Sequence, residues 1–205
     1  MRTQIVTITL AVILFSGHGA AQKNTPVQSV GNNVQPVGNN PATPLILENN
    51  EGEQLVRRPR DTLVPTAPFT IKVDRKNGGS QKMWLFTEDI PPGRAIPRHK
   101  HLDQDEILLI QTGTAHIWLG NQQREVHAGA IVFIPSDTWI SLKNTGSENI
   151  SLTSIFSDPG FDDFMRCVSS PPGQSPTALT RQEFQNCQHL GHAMYESTSA
   201  PAVAP

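Results

Sequence analysis

The middle of the chain alternates short β-favouring runs with clusters of turn residues. The runs cover residues 69–73, 83–87, 106–111, 115–119, 131–134, 140–142 and 150–156. Glycine, proline, asparagine and serine dominate the segments between them, for example at 77–80, 91–93 and 144–147. Runs of this length are too short for helices, and their even spacing predicts an all-β barrel or sandwich.

The pattern changes after the turn at residues 158–160. The residues that follow at the spacing of one helix face are Phe161, Phe164, Met165 and Val168. A second helix is predicted to start at Thr180, whose side chain can cap it together with Glu183. That helix is expected to run to about residue 195, with a weak point at Gly191. The predicted fold class is therefore all-β with two short C-terminal helices.

The amino-terminal segment has the parts of a secretory signal peptide. One positive charge at Arg2 precedes an apolar run at 5–15, and small residues follow up to Ala21. The run is shorter than a membrane span needs. We expect cleavage after Ala21, a secreted or periplasmic chain, and no stable membrane span after cleavage. An uncleaved anchor or a buried strand is the alternative.

Residues 22–68 are rich in asparagine and proline and contain two near-identical heptads at 27–33 and 34–40. Two copies are too few for a stacked repeat fold, so a flexible spacer is predicted. The segments 45–47 and 54–60 could dock on the domain as an edge strand. The three arginines of the second segment are interpreted as a solvated face rather than an anion site.

The predicted organisation has five parts. They are a signal peptide at 1–21, the spacer at 22–68, a barrel at 69–158, a helical extension at 159–195 and a disordered tail at 196–205. The net charge is −2, from 16 basic and 18 acidic residues without a strong block of either sign. A nucleic-acid partner is therefore not expected.

A cluster of metal-binding residue types lies in the middle of the predicted barrel. His99 and His101 are two residues apart, so in a strand both imidazoles point to the same face. Glu106 opens the next run and can meet them if the chain folds back as a hairpin. Two histidines and a carboxylate suit Fe(II), and also Mn, Ni, Cu or Zn. The alternative is a polar hairpin with surface histidines.

The surroundings of these residues match a known motif. Gly93, His99, His101, Glu106 and Gly113 stand at every fixed position of the first motif of the cupin superfamily. The chain therefore resembles the small secreted cupins of type 2. Some of these cupins are described as quercetin-dioxygenase-like. The resemblance implies a jelly-roll β-barrel, with His99, His101 and Glu106 as ligands of a divalent metal ion.

The second cupin motif is incomplete. Gly129, Pro135 and Asn144 stand at the expected spacings, but Asp137 replaces a glycine and Ile140 replaces a histidine. In cupins with four protein ligands, that histidine completes the set. Two outcomes follow: three ligands hold a metal with an extra open position, or the site is weak and often empty. We favour the first, because the three polar side chains would be costly to desolvate without a cation or a water network.

The replacement at Ile140 also makes the predicted pocket more apolar. Ile140, Leu142 and Trp139 are the expected pocket residues, and such a lining favours an aromatic or other largely apolar small molecule. His116 and His127 are predicted to lie on the outer surface, because the alternate residues around His116 form the better inward set.

The remaining candidates lie near the C-terminus. Cys167 and Cys187 are the only cysteines and fall on the two predicted helices. The sequence is compatible with a disulfide between them and with two free thiols. His189 and His192 have the i, i+3 spacing of one helix face, and we interpret them as exposed rather than as a second metal site.

Three functions stay open on the sequence alone. The first is a metal-dependent dioxygenase whose open metal positions hold substrate and O₂. The second is a non-enzymatic cupin that binds a sugar or metabolite without a functional metal. The third is an isomerase or epimerase, for which no convincing base is found. The resemblance also implies a small-molecule ligand and a homodimer, since small cupins often form dimers.

Overall fold

The computed structural model of the protein describes residues 41–60 and 67–196. The predicted signal peptide and both heptads of the spacer lie outside the described residues, and so does nearly all of the predicted tail. No helix among the described residues has the length and apolar character needed to cross a membrane.

Strands make up most of the described chain. They are β1 (Glu53–Arg57), β2 (Pro68–Val73), β3 (Trp84–Ile90), β4 (Ala95–His101), β5 (Glu106–Thr112), β6 (Thr114–Leu119), β7 (Gln122–His127), β8 (Ile131–Ile134), β9 (Ile140–Asn144), β10 (Ile150–Phe156), β11 (Ser169–Ser170) and β12 (Ala193–Tyr195). The helices are α1 (Phe161–Cys167) and α2 (Arg181–Gln188). The all-β prediction with two short C-terminal helices is confirmed.

The strands form two antiparallel sheets. One has the order β11-β1-β2-β3-β10-β5-β8, and the other has the order β12-β4-β9-β6-β7. Apolar side chains from both sheets share two buried clusters, so the sheets pack on one another and enclose the core. The indole of Trp84 stacks on Phe156 at a centroid distance of 4.3 Å in one cluster. Residues that alternate along each strand fill this space, as expected for a half-buried strand.

The region assigned to the spacer includes part of the fold. β1 pairs with β2 and β11, so the segment that could dock as an edge strand lies inside the larger sheet. The interpretation of its arginines as a solvated face is wrong. Arg57 and Arg58 are half-buried and bond to Glu88 and Glu183, and the guanidinium of Arg60 lies 3.9 Å from the centroid of the Phe184 ring.

The C-terminal region departs from the prediction at its end. Thr180 and Glu183 form the predicted capping box of α2, but the helix ends at Gln188 rather than near residue 195. His192 has a left-handed φ of 45°, which no helix continues through. The last described residues then form β12, which pairs with β4 beside His99 and His101.

A disulfide joins the two helices. Cys167 closes α1 and Cys187 lies near the end of α2, with their Cα atoms 5.6 Å apart. Of the two states left open by the sequence, the oxidised one is found. The bridge ties α1, which covers one end of the core, to the segment that leads into β12.

Candidate metal centre

Two histidines of one sheet face a carboxylate of the other. His99 and His101 alternate along β4, so both side chains point inward, and both are buried. Glu106 is the first residue of β5, in the opposite sheet, and it is buried as well. The carboxylate therefore meets the imidazoles across the space between the sheets, and not through a paired hairpin as the sequence suggested.

The three side chains bring their donor atoms together. One ligand atom from each lies within 4.8 Å of the other two. His101 Nε2 is 3.4 Å from Glu106 Oε2, too long for a strong hydrogen bond. Neither ring nitrogen of His101 has a hydrogen-bond partner among the described residues, although both are buried. A buried imidazole without partners is costly, and a cation bound between the three groups would remove that cost.

The backbone fixes the tautomer of His99. Its Nδ1 lies 2.8 Å from the carbonyl oxygen of Pro97, which can only accept, so Nδ1 carries the hydrogen. Nε2 keeps its lone pair, as a metal ligand requires. Burial lowers the pKa of His99 to about 4, and His101 acts in the same direction. The ring is therefore neutral at pH 7 and able to bind a metal ion.

The donor set fits a divalent transition metal ion. Neutral imidazoles and a carboxylate suit Fe(II), Mn, Ni, Cu or Zn, and three protein ligands leave coordination positions open. His99, His101 and Glu106 are the residues that would hold the ion. In the described part of the chain, they form the one cluster of histidine, cysteine and acidic side chains with this geometry.

A small cavity of about 30 Å³ adjoins the three ligands. Ile140 and Leu142 line it, and Ile140 is the cross-strand partner of His99. Trp139 does not line it, contrary to the prediction. Side chains alternate along the chain, so its ring points to the other face, near the cationic groups of Arg98 and Lys100.

Aromatic side chains close the cavity on the side of the helices. The ring of Phe161 contacts His101 edge-on, with centroids 4.4 Å apart, and Phe156 lies 5.0 Å from the same imidazole. Tyr195 of β12 stacks on His99 at 5.1 Å. Burial raises the pKa of Tyr195, so its phenol stays protonated at neutral pH. The C-terminal extension therefore contributes to the wall around the histidines.

An ion pair that the sequence analysis missed also lines the cavity. Arg57 Nη1 donates to Glu88 Oε2 at 2.5 Å, and the Glu88 side chain is 1% exposed. A signal was present in β3, where Trp84, Phe86 and Ile90 alternate inward and Glu88 occupies the remaining inward position. A carboxylate at such a position marks either a buried ion pair or a site.

Residues 86–156 match the family model of the cupin domain. The chain therefore contains a cupin domain at these residues. No curated protein sequence matches it. Cupins commonly bind divalent metal ions, which agrees with the donor set found between the sheets.

Several solved structures are similar to this cupin. A predicted oxalate decarboxylase from Thermotoga maritima has 17% identity and a TM-score of 0.48, and the match covers 56% of this chain and 100% of that one. The oxalate decarboxylase of Lactobacillus farciminis in a formate complex has 21% identity and a TM-score of 0.43, with 50% and 31% covered. KdgF from Halomonas sp. has 16% identity and a TM-score of 0.43, with 50% and 89% covered.

The second cupin motif keeps its structural parts. The amide of buried Asn144 donates to the carbonyl oxygens of Ile90 and Glu148, both at 2.7 Å, and so ties two turns together. Asp137, which stands where the motif has glycine, has a φ of 58°. Aspartate tolerates this left-handed region better than most residues. The turn is therefore kept although the glycine is lost.

The other histidines lie away from the cavity. His127 is exposed, and His116 lies on the outer face of β6, 3.3 Å from Gln123 Oε1. Both agree with the prediction. His189 and His192 do not share a helix face, since α2 ends before them, and His192 bonds to Asp103.

Proposed function

We propose that this cupin binds one divalent transition metal ion through His99, His101 and Glu106, and a small polar molecule beside it. The observation that carries the proposal is the buried His101 imidazole, which has no hydrogen-bond partner in the described regions and lies next to Glu106. A metal ion bound there acts as a Lewis acid and offers open positions to ligand oxygen atoms. The surrounding apolar side chains exclude water.

The size of the cavity restricts the ligand. A cavity of about 150 Å³ holds a benzene ring, and this cavity is much smaller, at about 30 Å³. This small volume disfavours an aromatic ligand of the kind expected from the sequence. An oxygenase function therefore requires a substrate of few non-hydrogen atoms. A non-enzymatic binder is the second candidate, since Ile140 removes a fourth protein ligand.

We also propose that the protein acts in a secreted or periplasmic location. The disulfide between Cys167 and Cys187 supports this, because such bonds persist in oxidising compartments. The signal-peptide pattern at 1–21 supports it independently.

The metal content of the purified protein tests the main proposal. After supplementation with Fe(II), Mn, Ni, Cu or Zn, we expect about one ion per chain, measured by elemental analysis. The His99→Ala/His101→Ala variant should retain almost none. The matched control is His116→Ala/His127→Ala, which removes two surface histidines and should bind as the parent does. Equal metal content in the parent and in the His99→Ala/His101→Ala variant would refute the proposal.

A histidine at position 140 should strengthen metal binding. Ile140 faces the cavity opposite His99, so Ile140→His supplies a fourth donor, and we expect the affinity to rise about tenfold or more, equivalent to about 1.4 kcal/mol. Competition with a chromogenic chelator measures it. Ser141→His, on the other face of β9, is the control and should leave the affinity unchanged. An unchanged affinity in Ile140→His would show that this position does not reach the ion.

A further inference from the structure

The cavity is lined by a second polar group besides the metal ligands. Arg57 and Glu88 form an ion pair in the wall of the same cavity that His99, His101 and Glu106 line. Arg57 ends β1, which lies outside the segment that matches the cupin domain. Binding of a metal ion by His99, His101 and Glu106 does not require this ion pair. Apolar side chains in its place would make the protein at least as stable.

Glu88 has an unused acceptor. Its Oε2 receives the bond from Arg57, while the buried Oε1 has no hydrogen-bond partner within residues 41–60 and 67–196. A buried carboxylate oxygen without a donor is unfavourable, so a ligand hydroxyl in the cavity would satisfy it. The guanidinium beside it has the fork of N–H donors that binds carboxylates.

The charges of the cavity favour an anion. With neutral imidazoles and a bound divalent ion, the ion balances the two buried carboxylates, Glu88 and Glu106, and Arg57 adds one further positive charge. A ligand with a single negative charge would leave the buried cavity neutral. The small volume of about 30 Å³ favours a ligand of few non-hydrogen atoms.

We propose that Arg57 and Glu88 form an anion-recognition subsite for a carboxylate of one or two carbon atoms that also carries a hydroxyl group. The guanidinium of Arg57 donates to the carboxylate, and Glu88 Oε1 accepts from the hydroxyl. This inference rests on the proposed function, because the metal ion supplies the remaining contacts to the ligand.

Titration of the Co(II)-loaded protein tests the subsite through its visible spectrum. The probes are glycolate, acetate, which lacks the hydroxyl, and glycolamide, which lacks the charge. Glycolate should bind about tenfold or more tightly than either analogue. Arg57→Gln/Glu88→Gln, which removes both charges together, should keep Co(II) and lose about tenfold or more in glycolate affinity. Arg58→Gln, whose side chain pairs with Glu183 instead, is the matched control and should bind glycolate like the parent.

The outcomes separate the two proposals. If Co(II) binds but glycolate binds no better than acetate, the subsite is refuted and the metal site stands. The same conclusion follows if the double variant binds glycolate as the parent does. If the parent does not bind Co(II), the proposed function fails and the subsite fails with it. Because chelation of the metal ion can by itself favour glycolate over acetate, the deciding comparison is between the parent and the double variant, and retention of Co(II) by the variant shows that it is folded.

Discussion

Replacing Arg166 by methionine is expected to reduce the free energy of unfolding by about 3–5 kcal/mol. The guanidinium of Arg166 bonds to three carboxylates: Asp162 Oδ2 at 2.8 Å, Glu53 Oε2, and Asp74, whose side chain has no exposed surface. Methionine keeps most of the packing volume but leaves two buried carboxylates, those of Asp74 and Asp162, without a cation. Guanidinium chloride unfolding measures the loss.

The stability deficit of Arg166→Met should depend on pH. Burial raises the pKa of Asp162, and Arg166 opposes that rise. Without Arg166, the folded chain binds a proton more readily than the unfolded chain, so the stability of the variant increases as pH falls toward the ordinary carboxyl pKa. The deficit should therefore be largest at neutral pH. Arg181→Met, at an exposed position on α2, is the control, with a loss within about 0.5 kcal/mol. A similarly small loss in Arg166→Met would contradict the role assigned to this cluster.

This cluster also positions two walls of the cavity. Asp162 and Arg166 belong to α1, which presents Phe161 to His101, and Glu53 belongs to β1, which carries Arg57. The ion pairs therefore join the helix to β1. Because both elements line the cavity, a loss at Arg166 should also weaken retention of a bound metal ion.

Much of the barrel could be predicted because its strands alternate in polarity. Trp84, Phe86 and Ile90 in β3 show the period of two that indicates a half-buried strand. The same period identified the shared face of His99 and His101. β7 gave no such signal, since only Val126 in it is even half-buried and its other residues are exposed. Backbone hydrogen bonds to β6 hold this strand in the sheet. Such bonds do not depend on the side chains, so the hydropathy pattern does not reveal them.

The end of α2 could not be predicted from helical spacing. A Cβ at Gly191 would lie 2.4 Å from Cβ of Phe164, so the chain passes too close to α1 for any other residue. The next residue, His192, takes a left-handed conformation. These are tertiary constraints, and the sequence showed only a glycine. As a result, the strand that brings Tyr195 to His99 was assigned to a helix.

The ion pair of the cavity illustrates the same limit. Arg57 and Glu88 are 31 residues apart, and their contact depends on β1 joining the sheet next to β2. The sequence marked the segment around Arg57 as an edge strand that could dock, but it contained nothing that fixed which face Arg57 would show. The inward position of Glu88 on β3 was the one sign in the sequence that a cation from another strand would pair with it.

Removing the disulfide should destabilise the protein and loosen the metal site together. Cys167 and Cys187 are 20 residues apart in the sequence, and closing a loop of that length in the unfolded state is worth about 3 kcal/mol. We therefore expect the Cys167→Ala/Cys187→Ala variant to lose about that much free energy of unfolding. Tyr195 follows Cys187 by only eight residues and stacks on His99, so the variant should also release its metal ion faster to a chelator.

Comparing reduced and oxidised protein separates the bridge from the side chains. Dithiothreitol should lower the unfolding midpoint of the parent toward that of the double variant and leave the variant itself unchanged. If the parent keeps both its midpoint and its metal-release rate on reduction, the bridge does not hold β12 in place. If reduction speeds metal release but leaves the unfolding midpoint unchanged, the disulfide acts on β12 alone. One edge strand can open without unfolding the two sheets.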